Sequence, residues 1–150
     1  MLDKPRNYRI DNVELNWVRV DTPTSPFGVE QYETQIATTK KTVAAEWKKN
    51  HLNVKEKDGK FVVSLKRKAA NGKVRVVNSD LSPMEDTRSI GNGSMGNVIV
   101  FQGPYSNNFG KGVTNSLTAI QITKLEKYEA MAGAEFDAID SAPKGSEDLF

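Results

Sequence analysis

Apolar and polar residues alternate along most of this chain, which is the pattern of strands with one face buried. Val13, Leu15 and Trp17 alternate with Glu14 and Asn16 until "TPTSPFG" interrupts the period. "QYETQIATT" predicts a second strand, with Tyr32 and Ile36 on the opposite side of the pleat from Glu33. A helical period occurs once, in "TKKTVAAEWKKN", where Val43 and Trp47 lie four apart on one face and Thr39 or Thr42 is placed to cap. Next, "KEKDGKFVVSLKRKAANGKVRVV" carries two turn signals between strand-forming stretches, Asp58-Gly59 and Asn71-Gly72. Both predict hairpins, the second more strongly. After a Ser/Pro-rich acidic loop at 79–89, "IGNGSMGNVIVFQ" predicts a strand and "GPYSNNFGKG" a loop. "VTNSLTAIQITKLEKY" then predicts a long strand patterned by Leu117, Ala119 or Ile120, Ile122 and Leu125, with room for a bend or bulge partway.

Five or more short strands, connections of Greek-key length and one short helix predict a mainly β protein. The expected architecture is an OB-fold-like five-stranded barrel, with a β-sandwich as the alternative. Trp17, Trp47, Phe61 and Phe101 fall in regular elements and are expected in the core, Phe101 being the one to reassign if its face is open. A length of 150 residues suits one domain, here 1–132, followed by a disordered acidic C-terminal tail, 133–150.

Composition narrows the chemistry. Without cysteine there is no disulfide framework, thiolate zinc site or thiol nucleophile. "MLDKPRNYRI" lacks the apolar stretch of a signal sequence and no run of 18 apolar residues occurs, so the expected location is the cytoplasm, a host's if the protein is viral, with no membrane contact. His51 is the single histidine, in a Lys/Asn-rich loop with no second histidine to share a metal. Asp80, Glu85 and Asp86 lack the spacing of a cation loop. "GNGSMG" (Gly91–Gly96) matches G-x-G-x-x-G, but strand-forming "NVIVF" follows where a dinucleotide site needs a helix. The glycines therefore suit a bulge or tight approach at a strand start. No enzyme activity, cofactor or metal is expected.

Charge is unevenly placed. Residues 133–150 hold Glu135, Asp137, Asp140, Glu147 and Asp148 against Lys144, a net of −4, so the preceding 132 residues carry +6 within an overall +2. Lys66, Arg67, Lys68, Lys73 and Arg75 crowd five cations into ten residues with no acid between them. Alternation puts Lys66 and Lys68 on one strand face and Arg67 on the other, with Lys73 and Arg75 sharing a face across the expected hairpin. Like charges so crowded repel unless an anion neutralises them; protection of an edge strand by lysines is the alternative use. Tyr105 and Phe109, with Lys111 close by, lie among glycines and asparagines that bury rings poorly. An exposed ring beside cations can stack an unpaired base while its phosphate is held. A ring folded back to plug the barrel end is the other reading.

"SIGNGSMGNVIVFQGPYSNNFGKGVTNSLTAIQITKLEKY" resembles the single-stranded DNA-binding proteins of short-tailed bacteriophages and related phage replication proteins. The shared features are the Gly-rich turn Ile90 to Ser94, a strand, an aromatic-bearing loop at Tyr105 and Phe109 ending in Gly-Lys-Gly-Val, and a long Leu/Ile/Gln strand. The resemblance covers about residues 89–129 and, in kind, the tail. It implies an OB-fold that binds single strands during DNA replication and recombination. It also implies an acidic tail with a terminal aromatic that recruits a polymerase or helicase-primase, and a homodimer as one allowed state. On this reading Lys66, Arg67, Lys68, Lys73, Arg75 and Lys111 neutralise phosphates and Tyr105 and Phe109 stack bases. Glu147, Asp148, Leu149 and Phe150 form a docking peptide, carboxylates against a basic rim and apolar side chains in a pocket. An RNA-binding OB or cold-shock-like module and a virion assembly protein are the rival classes.

Overall fold

The computed structural model describes residues 2–25 and 28–127. Its elements are β1 (Arg6–Thr24), β2 (Gln31–Thr38), α1 (Lys41–Lys49), β3 (Lys55–Lys57), β4 (Lys60–Lys68), β5 (Arg75–Val77), β6 (Ser94–Asn107) and β7 (Gly110–Lys124). β1 pairs antiparallel with β2 and β6, β2 with β4, and β6 with β7. A parallel contact, Lys66 with Ser116, joins β4 to β7 and closes five strands into the expected OB-type barrel. The pairing Asn7–Phe101–Ser116–Lys66–Glu33–Arg19 circles the barrel and returns to β1 twelve residues from its start. That offset is the stagger closure demands, and it is why β1 needs 19 residues.

The period-2 apolar positions fill the interior. Val13, Leu15, Ile36, Val63, Leu65, Val98 and Val100 are buried together. Leu117 and Ile120 both point inward although three apart, because the β6–β7 register shifts at Ile99/Val100. The helical face of α1 closes one end with Trp47 and Ala44 buried and Val43 against the core. No side chain caps its N-terminus; Thr38 Oγ1 instead accepts from Lys40 N at 3.2 Å.

A buried amide ties this helix to the barrel. Gln102 Oε1 accepts from Arg6 Nε at 2.7 Å, while Gln102 Nε2 donates to Asn50 O at 2.7 Å and to Asn115 Oδ1 at 2.8 Å. Asn115 Nδ2 in turn donates to His51 O at 3.0 Å. Every polar atom of the Gln102 side chain is thus satisfied, as a buried amide requires.

Three expectations are corrected. Asp58-Gly59 forms a hairpin, with φ of 53° and 79° and Lys57 opposite Lys60, but Asn71-Gly72 does not. β4 and β5 both run parallel to β7 along the same edge, Arg75 pairing with Ala119 beyond Ser116, so the chain between them continues forward through a 3₁₀ turn at Ala69–Asn71. "GPYSNNFGKG" is a two-stranded ribbon, Gly103 to Asn107 pairing with Thr114 to Gly110. Trp17 is outside the core, because β1 bulges between Asn16 and Arg19 and the alternation resumes with Val18 and Val20 inward.

The Gly91–Gly96 segment behaves as its glycines suggest. Gly93 adopts φ of 93° just before β6 begins, and a methyl on Gly96 would overlap the Gln121 carbonyl.

Candidate nucleic-acid interface

A groove of about 760 Å³ runs over the outer face of β4, β7 and β6. Because Phe101 pairs with both Asn7 and Ser116, and Ser116 with Lys66, these four side chains lie in one row across the strands. Phe101 is 43% exposed, so this ring, expected in the core, belongs to the surface. Lys66 and Lys68 stand exposed on the β4 wall, and neither joins an ion pair among the described residues. Gln31, Asn71, Thr114, Asn115 and Thr118 complete the polar lining.

Arg67 differs from its neighbours. Its side chain takes the other pleat direction, and the guanidinium donates to Gly72 O at 2.9 Å and to Asn71 O. It therefore braces the turn at the groove's edge, although it also contributes to the lining.

The β6–β7 ribbon extends the groove beyond the barrel. Tyr105 follows Phe101 by four residues and shares its pleat face, with its ring lying across Gly112. An added Cβ on Gly112 would sit 2.6 Å from the Tyr105 oxygen and 2.7 Å from its Cζ. Phe109 is 98% exposed at the ribbon tip, its N–H donating to Asn107 Oδ1 at 2.8 Å, so neither ring plugs the barrel. Lys111 pairs with Ser106 and so faces the opposite side of the ribbon from Tyr105.

The remaining cations spread outward. Arg75 lies in a parallel row, Arg9–Ile99–Ala119–Arg75, two residues along the strands from the Phe101 row. Lys73 is exposed near Asp21, whose carboxyl is held below its usual range first by the hydrogen bond from Arg88, with Lys73 a weaker neighbouring charge. The groove thus brings together Lys66, Arg67, Lys68 and Phe101, with Tyr105 in line, and leaves Lys73, Arg75, Phe109 and Lys111 outside its lining.

Sequence reasoning missed Asn7, Thr114, Asn115, Ser116 and Thr118. A signal existed for four of them, since "VTNSLT" packs polar residues into an otherwise apolar strand. Glu147 to Phe150, and the tail from 133 on, lie outside the described residues. No helix among the described residues is long and apolar enough to cross a membrane.

No family model matches this sequence, and no curated protein matches it. Solved structures do match in fold. The single-stranded DNA-binding protein from bacteriophage Enc34 in complex with ssDNA aligns at a TM-score of 0.62 and 16% identity, over 80% of this chain and 87% of that one. A second structure of the single-stranded DNA-binding protein from bacteriophage Enc34 aligns at 0.61 and 16%, over 84% and 86%. At 0.59 and 16% the match to gp2.5, a single-stranded DNA-binding protein encoded by bacteriophage T7, covers 94% of this chain and all of that one. The chain therefore shares the barrel fold of two phage single-stranded DNA-binding proteins, with little of their sequence.

Proposed function

We propose that this chain binds single-stranded DNA with little sequence preference in phage DNA replication and recombination, with no catalysis of its own. The observation that carries this reading is Phe101, an open aromatic ring in a groove walled by two lysines that join no ion pair among the described residues. A ring offers its face to any base, but only to one whose own face is free, so stacking selects single strands and tolerates sequence. The lysines hold the backbone without reading bases. Tyr105 prolongs the stacking surface along the ribbon. The Enc34 protein, which shares this fold and was solved in complex with ssDNA, supports the reading of single-strand binding. The segment Glu147–Phe150 serves as the docking peptide for replication proteins.

Fluorescence anisotropy with a labelled dT oligomer, competed by its duplex and by rU, tests the proposal. The dT oligomer should bind far more tightly than duplex. Engagement of four or five of the named cations, Arg67 being committed to the Asn71 and Gly72 carbonyls, gives a slope of log K against log salt of about −3 to −3.5, at about −0.7 per neutralised phosphate. Absence of binding at low salt, or equal affinity for duplex, would overturn the reading. Tighter binding to rU would assign the groove to RNA.

A further inference from the structure

Trp17 lies outside the groove just described, yet the fold holds it in place. Within the β1 bulge it adopts φ of 51°, a left-handed conformation uncommon for a bulky side chain. Its backbone N–H donates to Asn92 Oδ1 at 2.8 Å, and Gly93 N donates to Asn16 Oδ1 at 3.0 Å and to Leu15 O at 3.1 Å. The Gly-rich segment before β6 thus clasps the bulge on both sides of Asn16. The consequence is an indole 57% exposed, where unbroken alternation would send it inward with Val13 and Leu15.

On one side the indole meets Val18, Ile90 and Gly91 with Arg88 and Asn92, and on the other its surroundings are polar and cationic. A hollow of about 430 Å³ beside it is lined by Arg19, Lys57, Thr34, Gln35 and Ser64, with Glu33 as its one carboxylate. This hollow adjoins the groove, because Ser64 and Lys66 are alternate residues of β4 and Lys66 pairs with Glu33. Four strand steps lead from Phe101 through Ser116, Lys66 and Glu33 to Arg19, about 19 Å at about 4.8 Å per strand.

We propose that Trp17 is a second stacking platform for an unpaired base. Arg19 and Lys57 hold the neighbouring phosphates, and a strand lying on Phe101 continues over β4 and β2 to β1. Asn92 is the positioning residue that keeps the indole outward. The proposal rests on the single-stranded DNA reading above. A hydrophobic protein partner would favour an apolar surround, which this hollow lacks.

Tryptophan fluorescence tests it directly, since Trp47, the only other tryptophan, is 2% exposed. Binding of a dT oligomer of about 12 nucleotides should quench the wild-type emission, and Trp17→Phe should abolish that quenching. By anisotropy, Trp17→Ala should weaken the same oligomer about 5- to 150-fold, the range of one stacked base, and leave the salt slope unchanged. A dT oligomer of about 4 nucleotides, short enough to occupy the Phe101 groove alone, should be affected much less. Asn92→Ala should reduce both quenching and affinity, yet add nothing in a Trp17→Ala background. Wild-type affinity in Trp17→Ala, or quenching that persists in Trp17→Phe, would overturn the inference while leaving the groove intact if Phe101→Ala still weakens binding. Loss of all DNA binding in the wild type would overturn both readings together.

Discussion

Three adjacent cations, Lys66, Arg67 and Lys68, should separate into two kinds when replaced. Lys66 and Lys68 project from the groove wall without ion pairs among the described residues, so replacing both with Gln removes two phosphate contacts at little cost in stability. The salt slope should flatten by about 1.4, twice the contribution of one phosphate. Between about 50 and 200 mM salt, the wild-type advantage over the double variant should therefore shrink about sevenfold. Arg67→Met should act on folding instead. It loses the guanidinium bonds to the Asn71 and Gly72 carbonyls, which are exposed and so worth about 1 kcal/mol in all, or about 2–4 °C in Tm for a chain this size. Anisotropy titrations at four or five salt concentrations, with thermal melts of each variant, provide both readouts. The reasoning fails if Arg67→Met flattens the slope by about 0.7 with Tm unchanged, or if the double lysine variant keeps the wild-type slope.

Gly112→Ala should drive the Tyr105 ring off the ribbon and reproduce the binding loss of Tyr105→Ala, about 1–3 kcal/mol, with an unchanged melting curve; wild-type affinity would show that the ring's position does not matter. The Glu14 carboxyl is held below the usual glutamate range, first by its hydrogen bond from Lys60 at 2.8 Å and then by Asn16, so its folded value lies under its unfolded one. Its stabilising contribution is complete above the unfolded value and lost as pH falls through the folded one. The Tm gap between wild type and Glu14→Gln should accordingly close below the ordinary glutamate range, and a gap that widens on acidification would contradict the assignment. Phe150→Ala should leave affinity for dT oligomers unchanged and abolish capture of the replication partner in a pull-down from phage-infected lysate, because a buried aromatic is the strongest anchor of such a peptide; capture at the wild-type level would remove the docking role.

Local pattern was enough for much of this protein. Alternation in β1, β2 and β7 identified inward residues such as Leu15, Ile36 and Leu117, because burying one face of a twisted sheet imposes a period of two wherever the pleat is regular. The helical spacing of Val43 and Trp47 marked α1, and strand-forming residues after "GNGSMG" excluded a dinucleotide site. The exposure of Lys66, Lys68, Tyr105 and Phe109 was also legible, since cations and rings in poorly burying contexts announce themselves in composition.

Long-range pairing decided the rest. Asn71-Gly72 carries a good hairpin signal, yet β7 offers one edge to both β4 and β5 and keeps the chain running forward, a choice no local window contains. Phe101 sits at an ordinary strand position, and only closure of β4 onto β7 sets a lysine wall beyond Ser116, the residue it pairs with. The alternation assigned Trp17 to the core, but a hydrogen bond from its N–H to Asn92, 75 residues away, stabilises the bulge that turns it out. Side-chain periodicity determines which residues can share a face. Which faces meet is set by barrel closure, whose stagger depends on bulges and partners far apart in the chain.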